Sequence, residues 1–309
     1  PNEPHDRVKT SARTTILTMA PRTSAFDLAP EKLEEPHAQN GTGASVKAPG
    51  KRRCCGESFN RARLLFGMKP VCDATNEDGT AIDDGAAMYS PDVLQTYDAW
   101  VLNFVMPRVW GCPKELLLNM YNKHAGNKHI DVGPGTGYFL KHSTFPRATQ
   151  GKENVKVALL DLSPHCLDFC ATELAGEFRE VRTYQRDCLA DTPVNLPDEP
   201  FDSIGMSLLF HCVPGANLKE KVSKAIACLC PALSRGGVFF GATVLGSEED
   251  GAIKIGLRKW WWLKGLNSKN IFQNTGDTCE GLCEALDANF AKWNVRVVGN
   301  VALFAAYKD

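Results

Sequence analysis

Residues 128–140, KHIDVGPGTGYFL, set a short apolar run against three glycines at alternate positions, with an acid just before them and apolar residues just after. A strand that ends in bare backbone and turns at once into a helix opens a β–α unit, and such units recur downstream. The strand-like VKVALLD precedes the helix-like SPHCLDFCATELAG; then come EVRTYQ, FDSIGMSLLF, the amphipathic LKEKVSKAIACLCPAL and GGVFFGATVL. Continuous apolar strands separated by amphipathic helices predict a mostly parallel sheet covered on both faces. The closing stretch WNVRVVGNVALFAAYKD breaks the alternation, because two β-rich runs joined at Gly299 and Asn300 can only form an antiparallel hairpin. The expected fold is a doubly wound, mostly parallel seven-stranded α/β sheet with helices on both faces and a C-terminal antiparallel hairpin strand.

Ahead of the first strand, SPDVLQTYDAWVLNFVMPRVWG predicts a helix with Ser90 as N-cap and Pro91 in its first turn, closed by Pro107 and Gly111. A second helix is expected from Pro113 to near Gly126. Up to about residue 85 the chain is rich in Pro, Gly, charge and small polar residues, a composition that buries too little to offset the entropy of ordering it. Residues 1–85 are therefore expected to form a mostly disordered tail. Residues 86–309 are expected to form one domain, with N-terminal helices over 86–126 and an insertion over about 247–276. The tail segment RVKTSARTTILTMAPRTSAF contains no acid, which suits an organelle transit peptide and an arbitrary leader equally well.

A chain of 309 residues with 43% hydrophobic content and a formal charge of −1 can bury one good core and has no general attraction to nucleic acid. No run approaches the roughly 18 apolar residues of a membrane span, so no stable membrane insertion is expected. The twelve cysteines are scattered and lack CxxC pairs. They read as reduced thiols of a cytoplasmic protein rather than a metal site, with adjacent Cys54 and Cys55 in the tail.

Gly133, Gly135 and Gly137 stand at the carboxyl end of a strand, where open α/β sheets bind ligands. A triphosphate loop would need Lys and a hydroxyl residue after the last glycine, and a dinucleotide loop a glycine at position 138; Tyr138 and Phe139 stand there instead. Asp131, two residues before the first glycine, suits a ligand carrying positive charge better than a pyrophosphate. Asp161 ends the next strand, where a carboxylate can accept from both ribose hydroxyls, and Asp187 follows the third, within reach of an adenine amino group. Singly, Asp161 is equally a helix cap and Asp187 a solvated loop residue. Three acids at successive strand ends beside GxGxG point together to a cationic nucleoside.

With these residues in view, the sequence resembles the class I S-adenosylmethionine-dependent methyltransferase family over about residues 86–309. HIDVGPGTGYFL is similar to its first motif, VALLDLSP to its second, RDCL to its third and PFDSIGMSLLFHCVPG to its fourth. The resemblance implies that Asp131, Gly133, Gly135 and Gly137 line the methionine part of the cofactor, that Asp161 holds the ribose, and that Leu162, Asp187 and Cys188 border the adenine. It also implies a small-molecule acceptor whose O, N or S atom takes the methyl group by in-line displacement, which releases S-adenosylhomocysteine. His211, just beyond the fourth strand, is a candidate base or a histidine bonded to loop backbone. Tyr89, Tyr97, Trp100, Phe272 and Asn274 are candidates for the acceptor pocket. Trp260, Trp261 and Trp262 cannot share one helix face, so at least one is expected to be exposed or to cover a ligand. A nicotinamide-dependent oxidoreductase and a non-catalytic binding module remain the alternatives.

Overall fold

Seven strands form one sheet: β1 (Lys128–Val132), β2 (Lys156–Asp161), β3 (Glu180–Gln185), β4 (Phe201–Ser207), β5 (Leu233–Val244), β6 (Lys292–Val298) and β7 (Val301–Tyr307). Their spatial order is β3-β2-β1-β4-β5-β7-β6 in this computed structural model, which describes residue 94, residues 96–246 and residues 257–309. All of these belong to the unit Met68–Asp309. The first five strands are parallel to one another, and β7 runs antiparallel to both β5 and β6. The chain winds outward from β1 through β2 to β3, then returns to lay β4 beside β1. The crevice at that reversal opens at the carboxyl ends of the strands, the place where such sheets bind ligands.

The central strands are almost wholly buried on both faces, including the polar residues His129, Asp131 and Ser203 among their apolar ones. Val157, Leu159 and Phe240 face one cluster with Leu117, Tyr121 and Leu140, while Ala158, Leu160 and Phe239 face a second with Val222, Ile226 and Leu282. The period of two along each strand divides its residues between the two layers. Helix α1 (Lys114–His124) and α2 (Tyr138–His142) contribute to the first layer; α4 (Leu218–Leu229) and α6 (Cys279–Asn289) contribute to the second. Helix α3 (Pro164–Glu173) follows β2, capped by the Ser163 hydroxyl, which accepts from the Cys166 N–H at 3.4 Å.

One helix differs from its sequence expectation. Asp98–Trp110 is a π-helix with Pro107 inside it, and the stop falls at Gly111, whose left-handed backbone (φ 71°) lets its N–H reach Met106 O. In an α-helix a proline ring clashes with the carbonyl four residues back; i→i+5 bonding adds a residue to the turn and moves that carbonyl away. Ser90, Pro91, Tyr89, the tail with Cys54 and Cys55, and residues 247–256 of the insertion lie outside the described residues. The rest of the insertion forms α5 (Leu257–Asn267) and the segment that follows it. On α5 the tryptophans divide: Trp262 packs half-buried on the core beside buried Leu263, while Trp260 and Trp261 are exposed with ring centroids 5.2 Å apart. No helix among the described residues is long and apolar enough to cross a membrane, and no cysteine among them forms a disulfide.

Candidate functional site

The glycine loop leaves the end of β1 and is tied to β2 by a bond from Gly133 N–H to Leu160 O at 2.8 Å. All three glycines have positive φ, but their surroundings differ. A Cβ on Gly137 would lie 2.7 Å from Cys170 Sγ and one on Gly133 2.8 Å from the Leu209 side chain, whereas a Cβ on Gly135 would meet none of the described residues within 4 Å. Gly137 therefore lets α2 start against α3, while Gly135 offers backbone to open space. Gly137→Ala combines a left-handed backbone with a steric overlap and is expected to cost about 1–3 kcal/mol of stability. Urea unfolding monitored by circular dichroism checks this, with Gly135→Ala costing less.

Below the loop, Asp131 is buried and its Oδ1 accepts from the Tyr121 hydroxyl at 2.8 Å. Burial pushes its pKa up to about 7, the Asp161 charge adds to the rise, and the Tyr121 bond opposes it. At the end of β2, Asp161 Oδ1 accepts from Ser163 N–H at 2.8 Å. Burial raises Asp161 to about 6, held back by the Ser163 and Leu162 N–H groups. Asp187 is exposed, with Oδ1 accepting from Leu189 N–H at 2.8 Å. Two raised carboxylates at adjacent strand ends constitute stored demand for a cation, since a positive ligand favours their ionised forms.

A cavity of about 310 Å³ opens over these strand ends. Gly133, Gly135, Asp161, Leu162, Asp187 and Cys188 line one part of it. Tyr97 and Leu102 from the first helical segment, Tyr138 and Phe139 from α2, and Cys212 and Val213 from the loop after β4 line the remainder. Six of the eight residues expected to hold a cofactor thus share one wall; Asp131 and Gly137 stand behind it, bonded or packed to its supports.

Residues 130–241 match the family model described as a methyltransferase domain. The chain is 34% identical over 227 residues to demethylluteothin O-methyltransferase of Streptomyces thioluteus, covering 72% of this chain and 91% of that one. It is 37% identical over 231 residues to the physcion biosynthesis cluster O-methyltransferase of Aspergillus chevalieri, covering 74% and 97%. The chain belongs to the class I S-adenosylmethionine-dependent methyltransferases. The fold agrees with that of an O-methyltransferase family protein from Burkholderia thailandensis, with a TM-score of 0.50 at 13% identity over 82% of this chain and 69% of that one.

In this methyltransferase the residues expected at the acceptor pocket are placed differently from one another. Tyr97 lines the cavity, and Tyr89 lies outside the described residues. Trp100 stacks on Phe104 at 4.9 Å, Phe272 is buried against Trp110 and His211, and neither is among the lining residues. Asn274 is fully buried: its Nδ2 donates to Val244 O at 3.0 Å and its Oδ1 accepts from Asn267 Nδ2 at 2.9 Å. These bonds make it a strut between β5 and α5, because a buried amide must satisfy both its ends. His211 is buried too. Its Nδ1 accepts from Val244 N–H at 3.3 Å, which places the ring hydrogen on Nε2, and its pKa is pushed down to about 3 by burial, with Lys221 adding to the fall.

Sequence reasoning missed Tyr121, whose hydroxyl orients Asp131, and Thr136, whose hydroxyl donates to Asp98 Oδ1 at 2.7 Å and ties the glycine loop to the π-helix. Neither carries a local motif. Tyr121 reads in sequence as one more apolar position of a helix face, and its polar tip acquires a partner only when α1 packs on β1.

Proposed function

We propose that this methyltransferase transfers the methyl group of S-adenosylmethionine to a hydroxyl oxygen of a small, largely apolar molecule. The observation that carries this reading is one cavity lined both by glycine backbone and acids and by Tyr97, Leu102, Phe139 and Val213. Bound cofactor supplies an electrophilic methyl group on a sulfonium. The chain's residues fit it: Asp131 and Asp161 offer negative charge to a cationic ligand, and Gly135 leaves room for close approach. In-line displacement disperses charge as the methyl group moves, so alignment within a dry pocket can supply much of the rate. The names of the two relatives favour oxygen over nitrogen or sulfur.

Proton removal sets the kind of hydroxyl. His211 presents Nε2–H in this geometry and its Nδ1 is engaged, so we assign it a positioning role rather than that of a base. The described lining residues include Asp161, Asp187 and Arg186 but no histidine or lysine. A phenolic or enolic hydroxyl, which sheds its proton more readily than an alcohol, suits such a wall. Incubation with methyl-labelled cofactor and a panel of phenols, enols, thiols and amines tests the reading. Label recovered as a methoxy group supports it; label on nitrogen or sulfur, or none, refutes it.

A second measurement separates the roles of His211. If it positions the loop, His211→Gln, whose amide oxygen can accept from Val244 N–H, keeps turnover within about tenfold of the native rate. His211→Ala leaves that N–H without its partner and loses about 1–3 kcal/mol of stability in thermal melts. A base would instead lose about a hundredfold or more in turnover in both variants.

A further inference from the structure

Helix α4 turns an apolar face to the core through Leu218, Val222, Ala225 and Leu229, yet the same buried face contains Lys221, with no exposed surface. Its ammonium donates to three acceptors: Phe210 O at 3.3 Å, Gln273 O at 2.5 Å and Asp277 Oδ2 at 3.0 Å. Asp277 is likewise fully buried, and its Oδ1 has no partner among the described residues. A buried ion pair is a poor device for stability alone, since apolar residues of similar volume hold a core at least as well. It does one thing that apolar residues cannot, which is to fix the direction of the carbonyls around it.

Those acceptors belong to two segments, one of which reaches the cavity wall. Phe210 lies in the loop that follows β4 from Leu208, and this loop continues through Cys212, Val213 and Pro214 in the cavity wall. Gln273 and Asp277 belong to the segment that follows α5. Backbone bonds complete the junction: Gln273 N–H donates to His211 O at 2.7 Å, and Gly246 N–H at the end of β5 donates to Asp277 O at 3.0 Å. The two segments also approach closely at Gly276, where a Cβ would lie 2.6 Å from Ala216 O.

We propose that Lys221 and Asp277 are positioning residues for methyl transfer, a buried charge clamp that holds residues 212–214 in place as the acceptor-side wall. The inference rests on the reading of that wall as the acceptor's. The clamp acts through the loop and touches no reacting atom. Displacing a pocket wall by about an ångström costs turnover while leaving the glycine loop and Asp161, on other strands, undisturbed.

The test pairs Lys221→Met with Asp277→Leu in one full-length protein, because Lys221→Met alone strands a buried carboxylate and would be expected to unfold readily. The double variant is expected to melt within about 5 °C of the native protein and to bind S-adenosylhomocysteine within about threefold. Hydrogen exchange is expected to quicken at least about tenfold at the amides of Cys212 and Gln273, with the ladder amides of β1 and β4 unchanged. With whichever panel phenol or enol the native enzyme methylates, turnover is expected to fall at least about tenfold. Unaltered exchange at those two amides, or unaltered turnover, overturns the clamp. If the native enzyme methylates no hydroxyl, the proposed function has failed separately, and the exchange measurement alone then decides: faster exchange supports the clamp and unchanged exchange overturns it.

Discussion

Asp161→Ala is expected to weaken S-adenosylmethionine binding by about 5- to 150-fold, the equivalent of about 1–3 kcal/mol for a charge-assisted hydrogen bond left unmade. The side chain has two tasks, which the choice of substitution separates. Its Oδ1 already accepts from Ser163 N–H at the start of α3, and its carboxylate faces the cavity between Leu160 and Leu162. Alanine abolishes both tasks. Asparagine keeps an oxygen for Ser163 and removes only the charge and one acceptor, so its loss of affinity is expected to be smaller. Isothermal titration of both variants with S-adenosylmethionine and S-adenosylhomocysteine measures the effect, and a melting curve reports the loop bond. Native affinity in the alanine variant would sink the assignment of Asp161 to the ribose.

Lowering the pH from about 8 to about 5 is expected to weaken cofactor binding by about a hundredfold or more. Asp131 is raised to about 7 and Asp161 to about 6, both chiefly by burial. A cationic ligand favours the ionised carboxylates, so protons compete with it. One proton opposes binding below about pH 7 and a second below about pH 6. Titrations near pH 7 in buffers of different ionisation heat should show proton release on binding; a flat affinity profile would refute the pairing of these acids with the ligand's charge. Their effect on the ligand-free fold runs along the same axis with the opposite consequence. Each folded pKa lies above its ordinary value of 3.8, so the stabilising contribution is full below about pH 4 and is lost as pH rises through the folded values of about 6 and about 7. On the proposed pairing of these acids with the ligand's charge, binding at neutral pH offsets part of what burying the two carboxylates costs.

The features legible in the sequence were those that local chemistry dictates. Alternating strands and helices, the terminal hairpin and the GxGxG turn each follow from periodicity or from backbone freedom within a few residues, and all stand in the fold. The acids at three strand ends were legible for the same reason, since a parallel sheet brings the carboxyl ends of β1, β2 and β3 to one edge. What local pattern could not tell was which polar side chains meet water and which meet the core. His211 reads as a candidate base because it stands just beyond β4, and Asn274 as an acceptor-pocket residue because it lies in the insertion after β5, yet packing turns both inward to satisfy backbone groups of β5. Lys221 stands in the amphipathic stretch LKEKVSKAIACLCPAL with no local signal that sets it apart, yet it is fully buried.

The sequence by itself determined the class of fold and gathered the glycine loop and three acids at one edge of the sheet, because these depend on the order and spacing of residues along one strand or turn. Only the tertiary structure decided how the loop after β4 is held and where the buried charges find partners. Tyr121 and Asp131 are ten positions apart, His211 and Val244 thirty-three, and Lys221 and Asp277 fifty-six. Such pairs form when separate segments dock on the same sheet, and desolvation then determines which groups must bond to one another.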